Sequence, residues 1–305
     1  MIPIERVRAA AERARPHVLR TPMVPVEGAL LKLECLQPTG SFKVRGFFAA
    51  ARQAQKQSPD SFARGLMTVS AGNAAQACAY VARALGVPCR VVMYDTAPPP
   101  KVEGVKRWGG TPVPMPRDKM LKWMVDEGWR DEPELFIHPF ADPEVMAGHG
   151  GLGLELLEDV PDLARLLVPV GGGGLIGGVA SAVKAMKPDV EVIGVQSDGY
   201  ALWTRALDAG GPVPITPQTI ADGTTAPFDP RMFELLKECV DRWLTVPEPR
   251  LKSAVAELSA SAKVVAEGAG ALAYAALEQL PPGPPTVAVV SGGNIDPALL
   301  ADLIS

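Results

Sequence analysis

Chemistry in this chain is first suggested by a lysine at the start of a helix. Lys43 lies in Gln37-Pro38-Thr39-Gly40-Ser41-Phe42-Lys43-Val44-Arg45-Gly46, directly after the apolar, strand-like run Leu30-Leu31-Lys32-Leu33-Glu34. Pro38 and Gly40 make a turn, Ser41 is an N-cap residue type, and a helix starting near Phe42 holds Lys43 in its first turn. The positive end of the helix dipole disfavours the ammonium form there. A lowered pKa is what an amine needs to attack a carbonyl. Taken alone, the stretch reads more simply as a solvated surface lysine.

Three further turns carry chemistry of their own. Ser70-Ala71-Gly72-Asn73-Ala74-Ala75-Gln76, Pro169-Val170-Gly171-Gly172-Gly173-Gly174-Leu175-Ile176-Gly177-Gly178 and Ser291-Gly292-Gly293-Asn294-Ile295-Asp296 each follow a short apolar run, and the first two open helices. Gly171 to Gly174 stand between a strand and a helix. Their backbone N–H groups and the helix N-terminus can cradle a phosphate, or the run is merely a tight turn. It matches neither the P-loop pattern nor a dinucleotide fingerprint, because no acidic residue closes the following strand. The N–H groups at Ser70 to Asn73 suit a carboxylate, although Asn73 alone is an ordinary turn residue. Ser291 by itself ends a strand, and Asp222-Gly223 by itself is a turn. His149, with His17 and His138, is one of three histidines too scattered to suggest a metal site.

In this order and spacing the four motifs resemble the fold-type II pyridoxal-phosphate enzymes, specifically the threonine and serine dehydratases and serine racemases. The resemblance runs from Thr21-Pro22 to Asp296, nearly the whole chain. It implies pyridoxal phosphate bound covalently at Lys43, with Phe42 against the ring and Gly171, Gly172, Gly173 and Gly174 on the phosphate. Asn73 then meets the phenolic oxygen and Ser291 the ring nitrogen. Thr219-Ile220-Ala221-Asp222-Gly223 matches a further family motif that sets Gly223 beside the cofactor. Glu267, in Ala266-Glu267-Gly268-Ala269-Gly270, lines up with a family glutamate that contacts cofactor or substrate. Ser70, Ala71, Gly72, Asn73 and Ala74 fall on the substrate side, as does His149.

Ser291 points to the reaction. A carboxylate keeps the pyridine nitrogen protonated and makes the ring a strong electron sink. A serine hydroxyl is too weak an acid to do so, which steers chemistry to reactions where negative charge leaves with a β-substituent. The implied reaction is β-elimination of a β-hydroxy amino acid, L-threonine or L-serine, to a 2-oxo acid and ammonia, with the freed Lys43 amine as general base. Alternatives are a dehydratase for a bulkier substrate such as phenylserine or 3-hydroxyaspartate, a serine racemase, a β-replacement synthase, and a cofactor-binding protein without catalysis.

Departures from the family pattern bear on these alternatives. Ala71 stands where racemases carry a second serine, so racemisation is expected to be weak. Ala74 replaces the histidine of the Ser-Ala-Gly-Asn-His motif, and Ala147-Gly148-His149-Gly150-Gly151 replaces Ala-Gly-Gln-Gly-Thr, so a less polar or roomier pocket is expected near Ala74 and Gly151. Gln196, at the end of Ile193-Gly194-Val195, brings no charge to where cation-binding members use a carboxylate, and Asp198 alone is a thin ligand set. No metal is expected. The regulatory extension of biosynthetic threonine dehydratases is not expected after Asp296, nor is feedback inhibition by isoleucine.

The elements that must position these residues follow from periodicity. Helices are predicted over 4–15, 46–57 continuing from Lys43, 74–85, 101–108, 118–127, 175–186, 251–261 and 270–279, and strands over 30–33, 66–69, 89–93, 111–114, 163–170, 190–196 and 286–290. Such alternation argues for an α/β fold of parallel sheets covered by helices. The expected architecture is two-lobed and tryptophan synthase β-subunit-like: a large cofactor-binding domain from 1–60 and 141–305, and a small mobile domain from 61–140. The site lies in the cleft at the carboxyl ends of strands, and the Pro- and Gly-rich stretch 208–230 is a loop folding over it. A net charge of -4, without a basic cluster, argues against nucleic acid, and no apolar run approaches the length that spans a bilayer. The N-terminus lacks the apolar core of a signal peptide, so a cytoplasmic protein is expected; with the resemblance go a small-molecule amino-acid substrate and a homodimer. Cys35, Cys78, Cys89 and Cys239 show no metal spacing and read as reduced, buried residues.

Overall fold

Strand and helix alternate along most of the chain, and two largely parallel sheets result. The computed structural model describes residues 1–305. In chain order the elements are α1 (Ile4–Ala14), β1 (Met23–Val26), β2 (Ala29–Leu33), α2 (Lys43–Gln57), α3 (Pro59–Ala63), β3 (Leu66–Val69), α4 (Asn73–Leu85), β4 (Cys89–Tyr94), α5 (Pro99–Arg107), β5 (Thr111–Met115), α6 (Arg117–Val125) and β6 (Leu135–Phe136). The chain continues with α7 (Pro143–Asp159), β7 (Arg165–Pro169), α8 (Gly174–Met186), β8 (Glu191–Ser197), α9 (Leu202–Ala209), α10 (Pro230–Cys239), β9 (Arg242–Val246), α11 (Glu248–Glu257), α12 (Gly268–Ala275), β10 (Thr286–Val290) and α13 (Pro297–Ile304).

The smaller sheet has the order β5-β4-β3-β6 and is parallel throughout. The larger has the order β1-β2-β10-β7-β8-β9, with only β1 antiparallel. Helices cover both faces of a parallel sheet, so its strands read as continuous apolar runs rather than alternating ones. Both β3 and β10 are buried along their whole length.

Most predicted elements are present within a few residues, but α3, α9, α10, α13, β1, β6, β9 and, above all, α7 were not expected. Four glycines (Gly148, Gly150, Gly151, Gly153) weaken the helical signal of α7. Its buried residues lie all round the axis, so no amphipathic stripe shows in the sequence. The glycines are required by packing: a Cβ on Gly148 would lie 2.6 Å from Ala49 Cβ and 2.7 Å from the Arg45 carbonyl of α2, and one on Gly150 would lie 2.9 Å from the Gly178 carbonyl of α8. Asp142 caps α7 by accepting from the Glu144 and Val145 N–H groups, with Pro143 at its first position. The stretch between α9 and α10 is irregular apart from one 3-10 turn, Asp222–Thr224.

Candidate active site

Strand order decides which loops meet. In the larger sheet β2, β10 and β7 are neighbours and parallel, so the chain leaving each emerges at the same edge. Those exits carry Lys43, Ser291 and Gly171 to Gly174. The turns after β2 and β10 are stitched together by Phe42 N–H to Ser291 O (3.1 Å) and Gly293 N–H to Gly40 O (2.9 Å). From the smaller sheet, β3 ends directly before Ser70. These segments line one cavity of about 440 Å³ between the two sheets.

Lys43 is the first residue of α2, and its Nζ donates to the Pro139 carbonyl at 2.7 Å. Protein surrounds the ammonium, and loss of water lowers its pKa to about 8. Desolvation, rather than a charged neighbour, is therefore what brings the free amine within reach at neutral pH. Ser41 is not the cap that was expected. Its Oγ is buried without a hydrogen-bond partner, because the backbone of Ser41 bridges to Gly292 and turns the side chain into the core.

Gly171 to Gly174 line the cavity where β7 runs into α8. None of their N–H groups has an acceptor within the protein, as befits the first turn of a helix. Gly173 has φ +89°, a conformation that favours glycine. The neighbouring glycines have no room for side chains: a Cβ on Gly171 would meet Thr224 Cα at 2.8 Å, and one on Gly174 would meet Phe140 Cα at 3.1 Å. The loop is held from behind by Trp203, whose Nε1 donates to the Gly171 carbonyl at 2.5 Å. Gln196 sets Trp203 in turn, accepting from the Trp203 and Thr204 N–H groups. The donors facing the cavity suit an anion such as a phosphate monoester.

Across the cavity, Ser70 to Gly72 lead from β3 into α4, whose first residues are Asn73 and Ala74. The Ser70 hydroxyl accepts from the Gly72 N–H at 3.0 Å, and the N–H groups of Ala71 and Asn73 have no acceptor in the chain. Asn73 Nδ2 donates to Glu267 Oε1 (2.5 Å), and its Oδ1 accepts from Asn294 (2.7 Å). One amide proton of Asn73 is left over, since the group carries two. Burial pushes the Glu267 carboxyl up to about 7, against the opposing hydrogen bond from Asn73. Ser291 is buried, and its Oγ has only the Ala269 carbonyl, at 3.4 Å. Phe42 and Gly223 complete this set on the cavity wall.

His149 is a correction. It lies inside α7, fully buried, off the cavity, with both ring nitrogens unpartnered. Its ring meets Phe42 edge-on at 4.7 Å, so it backs a residue of the wall instead of facing a substrate. Gly151 is likewise remote, packed against Ala11 of α1. Of the departures from the family pattern on the substrate side, Ala71 and Ala74 line the cavity, and His149 and Gly151 do not. Pro139, Phe140, Trp203 and Asn294 were not expected to have a role. Asn294 stood within a motif already singled out, whereas a backbone acceptor such as Pro139 O leaves no signal in residue type. Nowhere in the chain are three His, Cys, Asp or Glu side chains gathered as for a metal ion, and no helix is long and apolar enough to cross a membrane.

An amine whose pKa is lowered by burial, an anion cradle and a buried hydroxyl around one cavity suit the binding of pyridoxal phosphate, and the comparisons agree. The family model described as pyridoxal-phosphate dependent enzyme matches residues 14–292. An L-threonine ammonia-lyase from Thermotoga maritima is 38% identical over 100% of this chain and 79% of its own length. One from Geobacter sulfurreducens is 38% identical over 97% of this chain and 76% of its own. Among solved structures, maize serine racemase superposes with a TM-score of 0.90 at 29% identity, covering 99% of this chain and 96% of that one. A threonine deaminase from T.th. does so with a TM-score of 0.87 at 36% identity, covering 96% and 98%. With four motifs converging on one cavity and the match spanning nearly the whole sequence, the chain belongs to the pyridoxal-phosphate-dependent enzymes of fold type II.

Proposed function

We propose that this enzyme is an ammonia-lyase that eliminates water from an L-β-hydroxy amino acid, with L-threonine and L-serine as substrates, and releases a 2-oxo acid and ammonia. The observation that carries the reading is the amine of Lys43, lowered to about 8 by burial and facing a cavity with anion-binding backbone at two places, Gly171–Gly174 and Ser70–Asn73. The names of the relatives from Thermotoga maritima and Geobacter sulfurreducens support it.

Pyridoxal phosphate, bound through Lys43, supplies the electron sink for negative charge developing at Cα. The N–H groups of Gly171 to Gly174 bind its phosphate, Phe42 and Gly223 bound the ring, and the free amide proton of Asn73 serves the phenolic oxygen. Ser291 Oγ hydrogen-bonds the ring nitrogen without protonating it. Ser70 Oγ and the free N–H groups of Ala71 and Asn73 bind the substrate carboxylate. Lys43 Nζ, once displaced, takes the proton from Cα as general base, which is efficient because its pKa lies near the working pH. Ala71 brings no hydroxyl to the opposite face, so racemisation is no part of this reading.

Residues 61–140 act as a mobile lobe that closes over the cavity against 1–60 and 141–305, and the enzyme is a cytoplasmic homodimer; its four cysteines are free and buried, as suits a reducing compartment. The test is 2-oxo acid release from L-threonine and L-serine by protein loaded with the cofactor. Lys43→Ala is expected to lose the cofactor absorbance and at least about a thousandfold in rate. Wild-type turnover by that variant, or no release from either substrate by the wild type, overturns the reading.

A further inference from the structure

One wall of the cavity carries no charge. It is the carboxyl edge of the smaller sheet: Val69 ends β3 immediately before Ser70, Tyr94 ends β4, and Met120 and Met124 stand one turn apart on α6. Met120 is packed with Met67, Val69 and Val92, while Met124 and Tyr94 join that cluster from its partly exposed side. Ala74, in the first turn of α4, adds only a methyl group. Unbranched methionines reshape themselves around an apolar guest.

Each charged side chain on the cavity is already committed. Lys43 is the reactive amine, Glu267 accepts from Asn73, and Lys101 pairs with Asp222. No cation among the lining residues remains to meet an acidic group on a substrate side chain; Arg117, outside the lining, stacks on the Tyr94 ring with its guanidinium carbon 5.3 Å from the ring centroid. A carboxylate pressed against Met120 and Met124 would lose its hydration and gain no partner.

We propose that this wall is the subsite for the β-substituent. It takes a neutral, apolar group, methyl or larger, and rejects an acidic one, with Met120 and Met124 setting its depth. The proposal rests on the reading above in one respect, that Ser70–Asn73 anchor the α-carboxylate. Val69 is contiguous with Ser70, so an amino acid anchored there lays its side chain against this wall.

Binding is measured separately from elimination by titrating the holoenzyme with amino acids that lack a β-hydroxyl and following the absorbance of the bound cofactor. From L-alanine to L-leucine the dissociation constant is expected to fall by about tenfold or more, the scale of added methylenes in an apolar pocket. L-Aspartate is expected to bind more weakly than L-alanine. Met120 is buried, so Met124 carries the mutational test. Met124→Arg is expected to strengthen aspartate binding by about tenfold and weaken leucine binding, while Met124→Ala changes leucine and leaves alanine nearly unaltered. Equal constants for alanine, leucine and aspartate, or the same change for all three in both variants, overturn the proposal even if threonine is eliminated. An apolar preference without 2-oxo acid release from threonine sustains the subsite and overturns the ammonia-lyase reading. No spectral response to any amino acid overturns both.

Discussion

At Lys43 and Glu267 one physical cause acts in opposite directions on two ionisable groups. Loss of water disfavours charge, so the amine falls to about 8 and the carboxyl rises to about 7. The raised carboxyl has a consequence for stability. Glu267 binds its proton more tightly in the folded chain than in the unfolded one, so its contribution is fully present below about pH 4.5 and is lost as pH rises towards and through 7. Glu267→Gln keeps an acceptor for Asn73 without the charge. In thermal melts of the cofactor-free protein it is expected to flatten the fall between pH 5 and 8 and to be more stable at pH 8 by up to about 3 kcal/mol. A variant with the same pH slope as the wild type would place the titration elsewhere. The lysine was legible in sequence because its motif was, but the cause of its low pKa was not: the helix dipole invoked from Phe42 and Ser41 is secondary to burial, and burial depends on Pro139, far along the chain.

Among the elements, α7 was least visible and is most confined. It crosses α2 at Gly46 and Gly148 and α8 at Gly150 and Gly178, contacts that leave no space for a methyl group. Gly148→Ala should cost about 1–3 kcal/mol by overpacking, read as a lower denaturant midpoint with unchanged slope. The same packing buries His149 without a partner and keeps it neutral, its pKa well below 6.5 through desolvation and the nearby charges of Lys43 and Arg45. The unfolded chain takes up that proton below about pH 6.5 and the folded chain resists it, so stability is lost as pH falls through this range. His149→Gln is expected to narrow the loss between pH 7.5 and 5.5 in urea unfolding; an unchanged difference would mean that another group, such as His138, which burial lowers to about 4, dominates. From the glycines alone α7 reads as turn, because the reason for them is close packing against α2 and α8. The strands around it were legible, since β7, β8 and β10 are buried on both faces and so show as unbroken apolar runs.

Across the whole molecule, Lys101 of α5 reaches Asp222 beside Gly223, joining the side of the cavity built on the smaller sheet to that built on the larger. Both residues are partly exposed, so the pair adds little to folding, about 0–1 kcal/mol. Its effect belongs to closure, if the lobe of 61–140 moves as proposed. Lys101→Ala is then expected to raise KM for the amino acid by up to about fivefold at low salt, with little change in the melting temperature. The difference from wild type should shrink as salt screens the pair. A KM effect that persists at high salt would point to a direct contact with substrate.

What the sequence determined by itself was the chemistry and the class of fold. Lys43, Gly171 to Gly174, Asn73 and Ser291 sit in short motifs whose residue types carry their meaning locally, and the alternation of apolar runs and helical periods is a local property too. The tertiary structure alone decided what lies opposite what. The order β2-β10-β7 brings together segments some 120 to 250 residues apart, Glu267 finds Asn73, and His149 goes to the core instead of the cavity. It also left Met120 and Met124, unremarkable in sequence, on the wall of the cavity. Burial and proximity are properties of neighbours in space, and neighbours distant in the chain leave no mark on one another's residue types.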